Sequence, residues 1–198
     1  MPRTASITRN TNETKIKLSV DLDGRGTAKV RTGVGFFDHM LDLFAKHALI
    51  DLTVEADGDL QVDQHHTVED VGLVLGQAID TAVGDKRGIY RYGWANLPMD
   101  ESLARVALDL SGRPAFVYSI PFNGALIGDF AAELVEEFFK ALSNAARMNL
   151  HIDVPYGRNN HHMAEAVFKA FARSLRQALT IDPRAADAIP STKGTLVD

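Results

Sequence analysis

The chain repeats itself, and an internal repeat narrows the possible folds more than any single motif does. Residues 13–26 alternate polar and apolar side chains and then reach the dipeptide Asp23-Gly24; residues 101–114 do the same 88 positions later, through Ser111-Gly112. Period-two alternation closed by a turn dipeptide predicts a strand entering a hairpin. Segments with apolar residues three and four apart follow in each half, at 36–47 and 133–142, and predict helices. Short strands are read next at 50–54 and 148–152, then turn-rich stretches at Gly58-Asp59 and Gly157-Arg158-Asn159-Asn160. Each half closes with a second helix, over 68–83 and 163–179, presenting a His-His pair. Two strand–strand–helix–strand–helix units predict an α+β fold of sheets packed against helices. No linker rich in Pro, Gly or Ser separates them. Residues 1–90 and 91–198 are therefore read as half-repeats of one compact body, with the boundary near 88–93.

Composition excludes several classes of function. A hydrophobic content of 45% with 24% charged residues is that of an ordinary globular protein. The net charge of -5 argues against nucleic acid as a partner, while leaving room for a local basic pocket that takes a small anion. Without cysteine there are no disulfides, thiolate metal sites or cysteine nucleophiles. No segment approaches the roughly 18–20 apolar residues of a membrane span, and the first residues lack the apolar run of a signal peptide. No membrane association and a cytoplasmic location are expected.

The sharpest element of the repeat is His-His-x-x-Glu. It stands at His65-His66-Thr67-Val68-Glu69 and again, 96 residues on, at His161-His162-Met163-Ala164-Glu165. On a helix the Glu lies four residues from the first His and three from the second, so the groups share a face. Adjacent histidines point about 100° apart and do not easily chelate one ion together. The pattern implies two metals, or one helix serving two sites, with ligands from both helices or from a neighbouring subunit. Imidazole and carboxylate without thiolate suit Mn, Fe, Co, Ni or Zn, and this many donors fits a six-coordinate ion better than a closed zinc site. One His-His pair alone is commonly a solvated helix start; its recurrence at matching places is what favours metal. His39 reads as a further ligand or a helix cap, and the repeat places Glu137 opposite it. His47 and His151 are as readily packed or surface histidines as site residues.

A second constellation is basic. Arg91, Arg113 and Lys169, with the tail Pro190-Ser191-Thr192-Lys193-Gly194, offer charges, hydroxyls and backbone N–H groups of the kind phosphate binding uses. The tail alone is equally a plain polar terminus.

Together, Phe36-Phe37-Asp38-His39-Met40-Leu41, Asp63-Gln64-His65-His66-Thr67-Val68-Glu69-Asp70, Leu110-Ser111-Gly112-Arg113-Pro114, Asn160-His161-His162 with Glu165-Ala166, and Pro190-Ser191-Thr192-Lys193-Gly194 resemble the imidazoleglycerol-phosphate dehydratase family. The resemblance runs from Arg9 to Leu196. It implies a duplicated α+β unit resembling the ribosomal protein S5 domain 2-like fold. It also implies a manganese enzyme with two Mn2+ per site, assembled as a 24-subunit cage whose sites lie between subunits. The ligands it implies are His39, His65, His66, Glu69, His161, His162 and Glu165. Many members of the family carry a His where this chain has Glu137, so a carboxylate is expected as the eighth ligand. The resemblance further implies that Glu13 approaches the substrate and that Arg91, Arg113, Lys169, Ser191 and Lys193 hold its phosphate. Asp100 matches a further acidic position, and His47 is carried as a candidate substrate contact.

The reaction implied is loss of water from imidazole glycerol phosphate to give imidazole acetol phosphate, a step of histidine biosynthesis. The proton removed lies on a carbon with no adjacent carbonyl. A manganese-bound imidazolate that expels the hydroxyl through a diazafulvene-like intermediate is the expected way round this difficulty. Glu13, Glu165 and Asp100 are the candidate catalytic acids and bases, with Glu165 the weaker base if it also binds metal.

Overall fold

The alternation in the first repeat segment becomes a strand because one side of it is fully apolar. Ile16, Leu18 and Val20 are buried while Lys15 and Lys17 face water. The structure, a computed structural model, describes residues 2–196. Strand β1 (Thr4–Asn10) runs antiparallel to β2 (Thr14–Asp21). Their connection is closed by a bond of 2.8 Å from the Thr11 N–H to the Thr14 carbonyl and one of 2.9 Å from the Thr14 N–H to Thr11 Oγ1.

The hairpin therefore precedes the alternating strand instead of following it. After Asp23-Gly24 the chain does not fold back on β2. It enters β3 (Ala28–Arg31), crosses through α1 (Gly35–Ala48) and returns as β4 (Asp51–Gly58), which pairs parallel with β3 and antiparallel with β2. The physical reason is local. An Asp51 carboxylate oxygen accepts the N–H groups of Arg25 and Thr27, both at 2.8 Å, which pins the turn to the start of β4. Helix α2 (His65–Val83) completes the half.

The second half repeats this course with β5 (Tyr92–Met99), β6 (Ser102–Asp109), β7 (Ala115–Ser119), a small hairpin of β8 (Leu126–Ile127) and β9 (Phe130–Ala131), then α3 (Leu134–Ala145), β10 (Asn149–Tyr156) and α4 (Asn160–Leu179). The sheets have orders β1-β2-β4-β3 and β5-β6-β10-β7, with the last pair parallel in each. Each four-stranded sheet thus takes three strands from before its unit's first helix, one more than the sequence pattern predicts. Strand β1 is inconspicuous because its inward positions are Ala5, Ile7 and Arg9, the last a charge. Strand β5 hides differently: Gly93 faces in while Trp94 faces out.

Each sheet lays one face on its own helices, and the helices pair across the halves, α2 with α3 and α1 with α4. The α2–α3 contact is backbone-close. A Cβ on Gly72 would stand 2.6 Å from the Phe138 carbonyl oxygen, and one on Gly76 2.5 Å from that of Leu142. One continuous apolar cluster joins both halves, with Phe44 stacked on Phe171 at 5.7 Å across the α1–α4 seam. Among the described residues no helix is long and apolar enough to cross a membrane.

Candidate metal centre

Both His-His pairs lie inside the first turn of their helices, earlier than the sequence pattern starts them. The reason is local: Asn159 caps α4, its Oδ1 accepting the His161 N–H at 2.9 Å, and Asp63, just ahead of the first residue of α2, accepts the His65 N–H through Oδ1 at 2.7 Å. Within each pair the rings diverge, with planes 83° apart and centroids 6.2 Å (His65, His66) and 6.4 Å (His161, His162) apart.

The first histidine of the second pair turns toward α1. Glu165 Oε2 lies 3.1 Å from His161 Nε2 and 3.7 Å from His39 Nε2. These three donors fall within 4.8 Å of one another and form the only such group among the described residues. Glu165 is buried while both histidines are about half open, so the group forms a mouth with a sunken carboxylate. Lys169, one turn further on, sits 2.5 Å from the other Glu165 oxygen. Burial alone would raise the Glu165 carboxyl, but Lys169 and His161 together hold it below its ordinary value, and hence ionised. His47 belongs to the same neighbourhood. Burial, then Lys169 and Arg173, lower its pKa and keep it neutral.

The second histidines face carboxylates instead. His66 Nδ1 meets both Asp59 oxygens at 3.0 and 3.1 Å, while its Nε2 is 3.9 Å from Glu13 Oε1. His162 Nδ1 meets Glu101 Oε2 at 2.8 Å, and its Nε2 is 3.7 Å from Asp100 Oδ2. The bonds to Asp59 and Glu101 raise the pKa of His66 and His162, and the His162 bond holds Glu101 well below the carboxylate range. Asp100 and Glu101 form the two-residue turn between β5 and β6, with Asp100 at φ 47° in the left-handed region.

The remaining sequence candidates are placed apart from these groups. His65 and Glu69 approach to 3.6 Å on α2. Glu137, on the neighbouring α3, pairs with Lys140 at 3.4 Å. Arg91 is engaged by Asp109 through two bonds of 2.6 and 3.0 Å and donates to the Pro190 carbonyl at 2.9 Å, which anchors the tail carrying Ser191 and Lys193. Arg113 is exposed beside the turn at Gly112. His151 lies on the outer face of its sheet, opposite Ala107 and Val117, away from the helices. Sequence reasoning did not single out Asp59, Glu101 or Asp109. The repeat did hold a signal for Glu101, which aligns with Glu13.

A duplicated α+β chain with histidine–carboxylate groups at the start of each second helix has the donor set of a metalloprotein. The comparisons narrow it. The imidazoleglycerol-phosphate dehydratase family model matches residues 32–175. Imidazoleglycerol-phosphate dehydratases of Albidiferax ferrireducens and Cereibacter sphaeroides are 60% and 61% identical over 194 residues; the match covers 98% of this chain and 95% and 100% of theirs. The crystal structure of imidazoleglycerol-phosphate dehydratase from Staphylococcus aureus is similar with a TM-score of 0.83 at 42% identity, covering 90% of this chain and 99% of that one. That from Pyrococcus furiosus gives 0.80 at 32%, covering 96% and 100%. This chain belongs to the imidazoleglycerol-phosphate dehydratase family, and it is a carbon–oxygen lyase of the hydro-lyase type.

Proposed function

We propose that this chain removes water from D-erythro-imidazole glycerol phosphate to give imidazole acetol phosphate, in cytoplasmic histidine biosynthesis, using two Mn2+ per site. The observation that carries this reading is the convergence of His39 Nε2, His161 Nε2 and an ionised Glu165 carboxylate within 4.8 Å. The donor set fits the ion: imidazole nitrogens and carboxylate oxygens without thiolate suit manganese(II). His39, His161, His162 and Glu165 would share the binding with His65, His66 and Glu69. Glu137 is the carboxylate of the equivalent helix pair, since α2–α3 relates to α1–α4 through the duplication. When bound, the ions supply Lewis-acid polarisation of the substrate's imidazole nitrogens.

The chain's own groups do the rest. Glu13, 3.9 Å from His66 Nε2, takes the side-chain proton from carbon, while Asp100 stands at the matching place beside His162. The ring electrons expel the neighbouring hydroxyl, which leaves as water once protonated, and pass through a diazafulvene-like species. The enol that remains after proton loss tautomerises to the ketone. Lys169 keeps Glu165 ionised. Arg91 fixes the tail so that Ser191 and Lys193, with Arg113, can meet the phosphate.

Among the described residues three donors converge, His39, His161 and Glu165, so an octahedral ion would draw its remaining ligands from water, substrate or another copy. We read the last source as sites shared between copies, in the 24-subunit cage, with residues 1–90 and 91–198 as the half-repeats of each subunit. The test is to supply imidazole glycerol phosphate with and without manganese and follow the ketone product. Metal-dependent product formation is expected. Release of inorganic phosphate in its place would make the chain a hydrolase and overturn the reading.

A further inference from the structure

The second histidine of each motif has a carboxylate on its Nδ1, and the two carboxylates come from places the duplication does not relate. Asp59 follows β4, where the residue after β10 is Gly157; Glu101 lies in the β5–β6 turn and aligns with Glu13, which faces the opposite side of the His66 ring. The same arrangement reached from unrelated positions points to a requirement of the histidine, not an accident of the fold.

Both carboxylates are also held in place. Glu101 Oε1 accepts the N–H of Asn159 at 2.8 Å and of Arg158 at 3.1 Å and meets Ser102 Oγ at 3.1 Å, which joins the turn to the cap of α4. The Asp59 N–H donates to the Glu13 carbonyl at 3.0 Å, which joins the loop before α2 to the proton-transfer residue. Both carboxylates are more buried than an ordinary surface ion pair, with Asp59 16% and Glu101 24% exposed.

We infer that Asp59 and Glu101 are positioning residues that accept the Nδ1–H of His66 and His162, fix each ring in that tautomer, and leave both Nε2 atoms free for a divalent cation. An imidazole that donates one N–H to a carboxylate is a more basic and better oriented ligand through its other nitrogen. The inference rests on the reading of His66 and His162 as metal ligands.

Manganese affinity, measured by competition against a chelator at fixed pH, tests it. Asp59→Ala and Glu101→Ala are expected to weaken binding by roughly 10–100-fold each, and Asp59→Asn and Glu101→Gln, which keep an acceptor oxygen, to recover most of that loss. The melting temperature of each metal-free variant checks that the fold survives. If a folded alanine variant binds within about twofold of wild type, or the amide variants bind no better than alanine, the positioning role is overturned. Should an alanine variant not fold, the Asn or Gln variant alone decides, with wild-type-like affinity supporting the role and an alanine-sized loss opposing it. Failure of the underlying reading looks different: wild-type protein would then bind no manganese at all.

Discussion

Asp100 occupies a left-handed position, φ 47°, with its side chain 76% exposed, so no packing rewards the conformation. A side chain there costs on the order of 1 kcal/mol relative to glycine. The turn holds the carboxylate 3.7 Å from His162 Nε2, and strain kept at such a place points to use. Asp100→Gly is expected to raise unfolding free energy in urea by about 1 kcal/mol while lowering turnover. Unchanged turnover would remove the Asp100 carboxylate from the reaction. Glu13→Gln keeps shape and removes the base; kcat should fall by roughly 100-fold or more with KM nearly constant. Near-normal kcat would exclude Glu13 from proton transfer. The proposed ligands were legible in the sequence because helical spacing and a recurring pattern encode them directly. Asp59 was not, because its contact depends on where a loop stops, and loop register leaves no periodic trace; Glu101 left only its alignment with Glu13.

At the scale of elements, α1, α3 and the cores of β2, β4, β6 and β10 follow from apolar spacing, and the structure moves their ends by only a few residues. What the pattern mistook was pairing. An Asp-Gly step looks like a hairpin, yet Asp51 captures the turn and turns the chain into a parallel crossover. The pairing of α2 with α3 was equally hidden, since Gly72 and Gly76 register as weak helix formers and not as contact residues. They allow backbone approach. Gly76→Ala would place a methyl 2.5 Å from the Leu142 carbonyl oxygen, against helix backbone that cannot swing aside. A loss of about 1–3 kcal/mol in urea unfolding is expected despite alanine's better helix propensity. A stabilised variant would show that the helices can part without cost.

For the whole molecule, the position of the donors matters more than their number. The three that converge come from both halves, His39 from the first and His161 with Glu165 from the second, while His65 and Glu69 wait on the other helix pair with two donors at hand. If ions complete their shells from neighbouring copies, manganese and assembly are linked, and whatever binds only the assembled form stabilises it. Protein stripped with a chelator should elute from a sizing column as a smaller species, and added manganese should restore the larger one. A size indifferent to metal would place the subunit contacts elsewhere.

The crossing of helices between halves has a consequence for how such a chain arose. A polypeptide ending after α2 would leave open to water the helical faces that α3 and α4 now cover, and would hold His39 without His161 or Glu165. A half-length chain of this kind would have had to pair with a second copy to cover those faces and to bring such donors together. Holding both halves in one chain makes that union independent of concentration and lets matching positions differ, as His39 and Glu137 do.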